Sequence, residues 1–301
     1  MPHFWNATYD NLGLTYLYFD SESNNVEKFL NINETRNNPL FHTTLPLFYS
    51  DYSNKYLTYN DQPPPWHNHS FIDGAHAKGL IYYNNYEGFW IQHSLPHFID
   101  ISKEFYIPHN GKVNGQTFLC ISLETLYTKI IVRKLLKIGI HVTNTNIDIS
   151  KMNHSGIGIY NFQVYSIFNG IKFDTSFKSP NYHIDIYDAY LNNHMFSTLN
   201  VQTWQNGRGR MHSNCSIYFN VMNINKIKMM DQYWFSTKDH SKWAYTINIS
   251  NVKSINIFCS CDLNRQTTQM HRGGGCVCFE NQHLVEFMKQ STLILDPCDL
   301  V

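Results

Sequence analysis

Asp239-His240-Ser241-Lys242-Trp243, then Cys259-Ser260-Cys261-Asp262-Leu263-Asn264-Arg265, then His271-Arg272-Gly273-Gly274-Gly275-Cys276-Val277-Cys278 form the stretch that orders the rest of the chain. It gathers an imidazole, an ammonium, a carboxamide and a guanidinium inside a cluster of four cysteines. Such groups can hold and attack a phosphate, provided that a second set faces them. A second set stands upstream in Asp73-Gly74-Ala75-His76-Ala77-Lys78-Gly79, followed by Gly88-Phe89-Trp90-Ile91-Gln92-His93-Ser94. Both His-x-Lys segments are preceded by an aspartate and lead into a strand-like run, about half a chain length apart. Residues two apart in a strand face the same way, so His76 projects with Lys78 and His240 with Lys242. Two facing pairs would surround a phosphodiester. One imidazole would attack phosphorus and the other protonate the leaving oxygen. The lysines and an asparagine would stabilise charge on the non-bridging oxygens. The competing reading is two unrelated surface histidines.

Composition bounds the class. The chain has 301 residues, 43% hydrophobic and 15% aromatic with only 15% charged, which excludes a disordered chain and gives ample length for a core. Lysine plus arginine equals aspartate plus glutamate, and sixteen histidines add positive charge only in acid, which then favours a polyanionic partner. Seven cysteines and sequons beginning at Asn6, Asn33, Asn68, Asn153, Asn214 and Asn248 point to an oxidising, secretory compartment. Met1-Pro2-His3-Phe4-Trp5 carries no signal peptide, and no apolar run is long enough to span a bilayer.

Along the chain, residues 13–19 suit a strand, 20–25 a polar turn and 31–53 loops broken by Pro39 and Pro46. Residues 79–83, 89–92 and 117–122 read as strands, and 123–138 as the clearest helix, with Leu126, Ile130, Leu135 and Ile138 on one side and Gly139 as its stop. The polar run 143–150 is the candidate boundary between halves, 1–145 and 146–301. Beyond it, 184–196 and 283–289 are expected to be helical, and 199–204 and 254–258 to be strands. The alternation gives an α/β class.

These residues resemble the deoxyribonuclease II family, acid endonucleases related in fold to phospholipase D. The resemblance rests on Tyr59-Asn60-Asp61-Gln62-Pro63-Pro64, His76-Ala77-Lys78-Gly79, Gly88-Phe89-Trp90 with His93-Ser94-Leu95-Pro96, and 115–122. It continues through Ser213-Asn214-Cys215-Ser216, Asp239-His240-Ser241-Lys242-Trp243, Asp262-Leu263-Asn264-Arg265 and Arg272-Gly273-Gly274-Gly275, in family order over positions 13 to 298. It implies two phospholipase-D-like halves, mixed β-sheets flanked by helices, forming a pseudo-dimer around one central site. It also implies cleavage of double-stranded DNA in acid, without metal or other cofactor, to 3′-phosphate and 5′-hydroxyl ends. No membrane partner is implied, and the expected location is secreted or lysosomal.

Carried over by position, His76, Lys78, His93, His240, Lys242 and Asn264 are the catalytic set; the sequence leaves the nucleophile open between His76 and His240, and the analogy with phospholipase D favours His76. Asp262 either orients His240 or caps a turn, and Arg272 either contacts a phosphate or shapes a turn. Lys103, Lys112, Arg208, Arg210 and Arg265 are candidate groove residues. The family pairing implies the disulfides Cys215–Cys298 and Cys259–Cys278, with Cys261–Cys276 a second bridge inside the latter. Cys120 is left unpaired; the resemblance implies a family partner upstream of Met1, and the alternative is a free reactive thiol. Family members open with a strand that ends where this sequence begins, so the first half is expected to lack its opening strand.

Two rivals remain. Trp66-His67-Asn68-His69 with His76 offers a zinc-like set. A catalytically silent, secreted DNA-binding or host-interaction protein of the same fold is the other. Nicking in excess EDTA separates the first, and nicking at all separates the second.

Overall fold

The computed structural model describes residues 13–22, 25–49, 53–67, 71–152, 154, 156–216, 218–247 and 255–298. Strands β1 (Tyr16–Phe19) and β2 (Val26–Phe29) form an antiparallel ribbon. The segment expected to be loops contains a short helix, α1 (Pro39–Thr44), and a turn of 3₁₀ helix, Leu45–Leu47. The prolines start these turns instead of breaking them. Asn38 Oδ1 accepts from the Leu40 and Phe41 amides at 2.9 and 3.2 Å, and Pro39 fills the first helical position, where no N–H is needed.

A five-stranded antiparallel sheet follows from β3 (Lys55–Asn60), β4 (Lys78–Tyr83), β5 (Glu87–His93), β6 (Phe118–Glu124) and β7 (Val142–Thr145). Its order is β7-β3-β4-β5-β6. Helix α2 (His109–Val113) precedes β6, and α3 (Thr125–Lys137) follows it. The strand holds on through Glu124, so α3 begins two residues later than expected and buries Thr128, Ile131, Val132, Leu135 and Leu136, leaving Leu126 exposed. Gly139, at φ 77°, ends it as a left-handed cap, its amide donating to the Leu136 carbonyl at 3.0 Å.

The second sheet is mixed and nine-stranded. It contains β8 (Ile159–Tyr165), β9 (Lys172–Lys178), β10 (Thr198–Gln202), β11 (Val221–Met229), β12 (Gln232–Phe235), β13 (Trp243–Ile247), β14 (Ile257–Cys261), β15 (Gly274–Glu280) and β16 (Thr292–Leu295). The order is β12-β11-β10-β13-β14-β15-β9-β8, with β16 also on β11, and only the β10–β11 pair is parallel. The helix expected at 184–196 is a π-type turn, Tyr187–Leu191, running into α4 (Asn192–His194). Helix α5 (Gln282–Ser291) is capped by Asn281, whose side chain accepts from the Leu284 amide at 2.8 Å.

One arrangement occurs twice. In β3-β4-β5-β6 and again in β10-β13-β14-β15, four antiparallel neighbours are followed by a helix, α3 or α5. The two sheets share a core in which Trp90 and Leu135 meet Phe177 and Val277. Three bonds tie the second unit: Cys215–Cys298, Cys259–Cys278 and Cys261–Cys276, the same pairs that the resemblance implies. The last two cross-link facing residues of β14 and β15. Cys120 on β6 is a free thiol and lines a cavity of about 690 Å³ beside that strand's outer edge.

Candidate active site

The two His-x-Lys segments meet where the sheets abut. His76 and His240 each precede a strand and are each anchored by a glycine from the other unit. The His76 amide donates to the Gly273 carbonyl at 2.8 Å, and the His240 amide to that of Gly115 at 2.9 Å. Parallel bridges Ala75–Gly273 and Gly115–Asp239 flank these bonds. Both glycines are required by close approach: a Cβ on Gly115 would lie 2.4 Å from Asp239 Oδ1, and one on Gly273 2.1 Å from the Ile138 carbonyl.

In the first unit the β3–β4 register sets Asn60 opposite Lys78, which brings the next residue, Asp61, to the site. Its Oδ1 lies 2.5 Å from Lys78 Nζ, and its Oδ2 lies 3.1 Å from Arg272 Nη2 and 3.9 Å from His76 Nε2. Burial alone would raise the Asp61 carboxyl, but Lys78, His76 and Arg272 outweigh it and hold the group well below the usual carboxylate range. His76 Nδ1 is 2.9 Å from the main-chain oxygen of Asp262. A carbonyl only accepts, so the proton sits on Nδ1 and Nε2 is left with a lone pair. Burial holds the imidazole well below its usual pKa; Asp61 opposes this, while Lys78, Lys242 and Arg272 reinforce it.

The second unit lacks the carboxylate. Gln202 pairs with Trp243, so the chain runs on through Thr203 to Trp204 where Asp61 stands in the first unit. The indole meets the His240 ring edge-on, with centroids 4.5 Å apart. His240 is pushed down to about 3 by burial and then by Lys242 and Lys78. Lys242, almost fully buried, is pushed down to about 7 by burial and by Lys78, against the pull of Asp61, Asp262 and Asp239. Two buried ammonium groups thus repel one another and both imidazoles across one small space. An anion placed among these groups would offset that repulsion.

The other predicted residues gather around that space. His93 is buried against Phe98 and Phe118, its Nδ1 accepts from the Leu95 amide at 3.1 Å, and its Nε2 is buried without a partner. Burial, then Lys78 and Lys242, push its pKa down to about 3. Asn264 Oδ1 accepts from the Trp204 amide at 3.1 Å, which fixes the carboxamide beside His240's neighbour. Asp262 does not touch His240. Its carboxylate accepts from Gln92 Nε2 and the Gly275 amide, both at 3.0 Å, while its carbonyl serves His76. Burial lifts that carboxyl to about 7 in spite of these donors and of Lys78 and Lys242.

Arg272 is a tie between the units. Its guanidinium binds Asp61 and the carbonyls of Phe71, Gly74 and Ala75. Arg265 is not a groove residue. It is 1% exposed and paired with Asp185 at 2.9 Å, with further bonds to the His212 carbonyl and Asn223 Oδ1. Lys103 is exposed and pairs with Asp100, and Arg208 and Arg210 lie on the surface. Of the metal-like tripeptide, His67 Nε2 lies 2.9 Å from the Thr143 carbonyl, while Asn68 and His69 fall outside the described residues. Among the described residues no group of three metal-ligating side chains assembles.

Sequence reasoning missed roles for Asp61, Gln92 and Trp204. Asp61 stood in a quoted segment, but its proximity to Lys78 comes from strand register, which spacing does not carry.

The fold is of the α/β class, and the comparisons with known proteins define its family. The sequence model of Deoxyribonuclease II matches residues 2–298. Similar proteins include Plancitoxin-1 of Acanthaster planci, 33% identical over 81% of this chain and 71% of that protein. Deoxyribonuclease-2-beta of Homo sapiens is 31% identical over 99% of this chain and 87% of its own length. Cell-death-related nuclease 7 of Caenorhabditis elegans is 27% identical over 95% and 80%. The chain belongs to the deoxyribonuclease II family.

Proposed function

We propose that this protein hydrolyses phosphodiesters of double-stranded DNA in acid through a phosphohistidine on His76, with His240 as the general acid. The observation that carries it is the difference between the two imidazoles. His76 is pinned by the Asp262 carbonyl with Nε2 free to attack, whereas His240 makes no ring hydrogen bond among the described residues and is free to gain and give a proton.

In the first step Nε2 of His76 bonds to phosphorus and the P–O5′ bond breaks. The departing oxygen takes its proton from His240. Asp61 stabilises the positive charge that develops on the His76 ring. His240 then removes a proton from water, which attacks phosphorus, frees Nε2 and leaves a 3′-phosphate opposite a 5′-hydroxyl. Lys78, Lys242, the Asn264 carboxamide and His93 Nε2–H face the non-bridging oxygens, a role for fixed cations and donors that needs no metal.

Acid dependence follows from charge. Burial, and then Lys242 and Lys78, hold His240 low; a bound phosphodiester offsets the part due to the two lysines, so the His240 pKa rises in the complex. The two imidazoles titrate as a coupled pair. The three disulfides fit a secretory or lysosomal location.

Plasmid nicking at about pH 5 in excess EDTA tests the reading. The wild type is expected to nick, and His76→Ala and His240→Ala each to lose about a thousandfold or more. Nicking that survives both substitutions refutes the site, and a wild type silent in EDTA refutes metal independence. A wild type that binds DNA but never nicks favours the silent DNA-binding alternative.

A further inference from the structure

Lys178 takes no part in the chemistry above, yet it is one of the most deeply buried groups in the molecule, 0% exposed at the end of β9. Among the described residues no carboxylate lies within ion-pairing distance of it. Its ammonium donates instead to three main-chain carbonyls, Met270 at 2.8 Å, Arg272 at 2.5 Å and Tyr182 at 3.2 Å. Burial pushes it down to about 8, with Asp185 opposing, so it remains largely charged in acid. An ammonium kept out of water is costly unless its donors are all used, and here each finds a carbonyl. A methyl-ended side chain of the same length would fill the space more cheaply.

The carbonyls explain the charge. Two of them belong to the turn that delivers Arg272 into the first unit. From that turn the guanidinium reaches Asp61 Oδ2 at 3.1 Å and the Ala75 carbonyl at 3.0 Å. The next residue, Gly273, accepts the His76 amide and donates to the Gly74 carbonyl. Asp61 in turn holds Lys78 and stands 3.9 Å from His76 Nε2. The connection runs from Lys178 through the Arg272 carbonyl and guanidinium to Asp61, and from there to the groups proposed to touch phosphorus.

We propose that Lys178 is a positioning residue for the phosphodiesterase site, acting through Arg272 and Asp61 on His76 and Lys78. This rests on the functional reading above. With the turn released, Arg272 no longer compensates Asp61, and His76 feels a stronger anion. Its pKa rises, and the limb on which it must be neutral moves to higher pH.

The test compares Lys178→Met, Arg272→Met and the double variant with the wild type in plasmid nicking across pH, with thermal unfolding as a fold control. Lys178→Met is expected to lower kcat about tenfold, leave KM within about twofold and move the acid limb up by about one pH unit. The double variant should lose no more than Arg272→Met alone, because both act through one connection. Losses that multiply, or a Lys178→Met variant with lowered stability but an unmoved pH profile, would overturn the proposal. If Lys178→Met does not fold, Lys178→Gln, which keeps a donor for one carbonyl, takes its place in the cycle, and the same two outcomes overturn the proposal. The His76 titration, read by NMR in the wild type and the Lys178 variant, needs no turnover. An upward shift there supports the inference even if DNA proves not to be the substrate, and an unmoved titration overturns it.

Discussion

His93 gives the protein a measurable liability in acid. Its ring is packed against Phe98 and Phe118 at 5.3 and 5.5 Å, and the Leu95 amide occupies Nδ1, so a proton has nowhere to go. Its pKa is held at about 3, against 6.5 for an ordinary histidine. The sign follows directly. The unfolded chain binds the proton as pH falls below 6.5 while the folded chain does not, so stability present at neutral pH is lost progressively in acid. Between 6.5 and about 5 the gap is roughly 1.5 units, which at about 1.36 kcal/mol per unit is about 2 kcal/mol. The perturbation is His93→Phe, which suits the aromatic surroundings and cannot titrate. Its other consequence, the loss of an acceptor for the Leu95 amide, is the same at every pH and cancels in the comparison. Urea unfolding without DNA at about pH 7 and pH 5 measures the effect. The wild type should lose about 2 kcal/mol more than His93→Phe on acidification. Equal losses would refute the claim that His93 stays neutral in the folded chain.

Three further outcomes are expected. Gly115→Ala sets a methyl 2.4 Å from a carboxylate that the Trp234 indole and the Ser241 amide hold at 2.7 and 2.9 Å, so it should cost about 1–3 kcal/mol and lower activity by displacing His240. Thermal unfolding and nicking read both. Arg265→Met leaves Asp185 buried without its partner and should cost about 3–5 kcal/mol in chemical denaturation, whereas a groove residue there would cost almost nothing. Affinity of the His76→Ala variant for duplex DNA should fall linearly with salt on logarithmic axes with little dependence on sequence, as a fluorescence titration shows.

The candidate site residues were legible because their types and spacing are local properties. His76 with Lys78 and His240 with Lys242 share a face by the two-residue strand period. What joins them was not legible, because it is set by pairing between segments far apart. Asp61 reaches Lys78 only through the Asn60–Lys78 register, and Gln92 meets Asp262 only because the two units abut. Arg265 misled for a related reason: a charged side chain in a polar-looking segment reads as surface until its buried partner, Asp185, is seen. The loop expectation at 31–53 failed on Pro39, a breaker inside a helix but an initiator at its first position. The difference between His76, with a carboxylate neighbour, and His240, with an indole, left no trace in two matching motifs.

Trapping the covalent intermediate tests the division of labour between the imidazoles most directly. DNA labelled on the 5′ side of its nicking sites is mixed with enzyme in acid, quenched within milliseconds into alkaline denaturant and resolved for label on the protein. The label should appear on the wild-type chain and be absent from His76→Ala. A wild type that nicks without ever carrying label, or label that persists in His76→Ala and vanishes in His240→Ala, would contradict the assignment of His76 as the nucleophile.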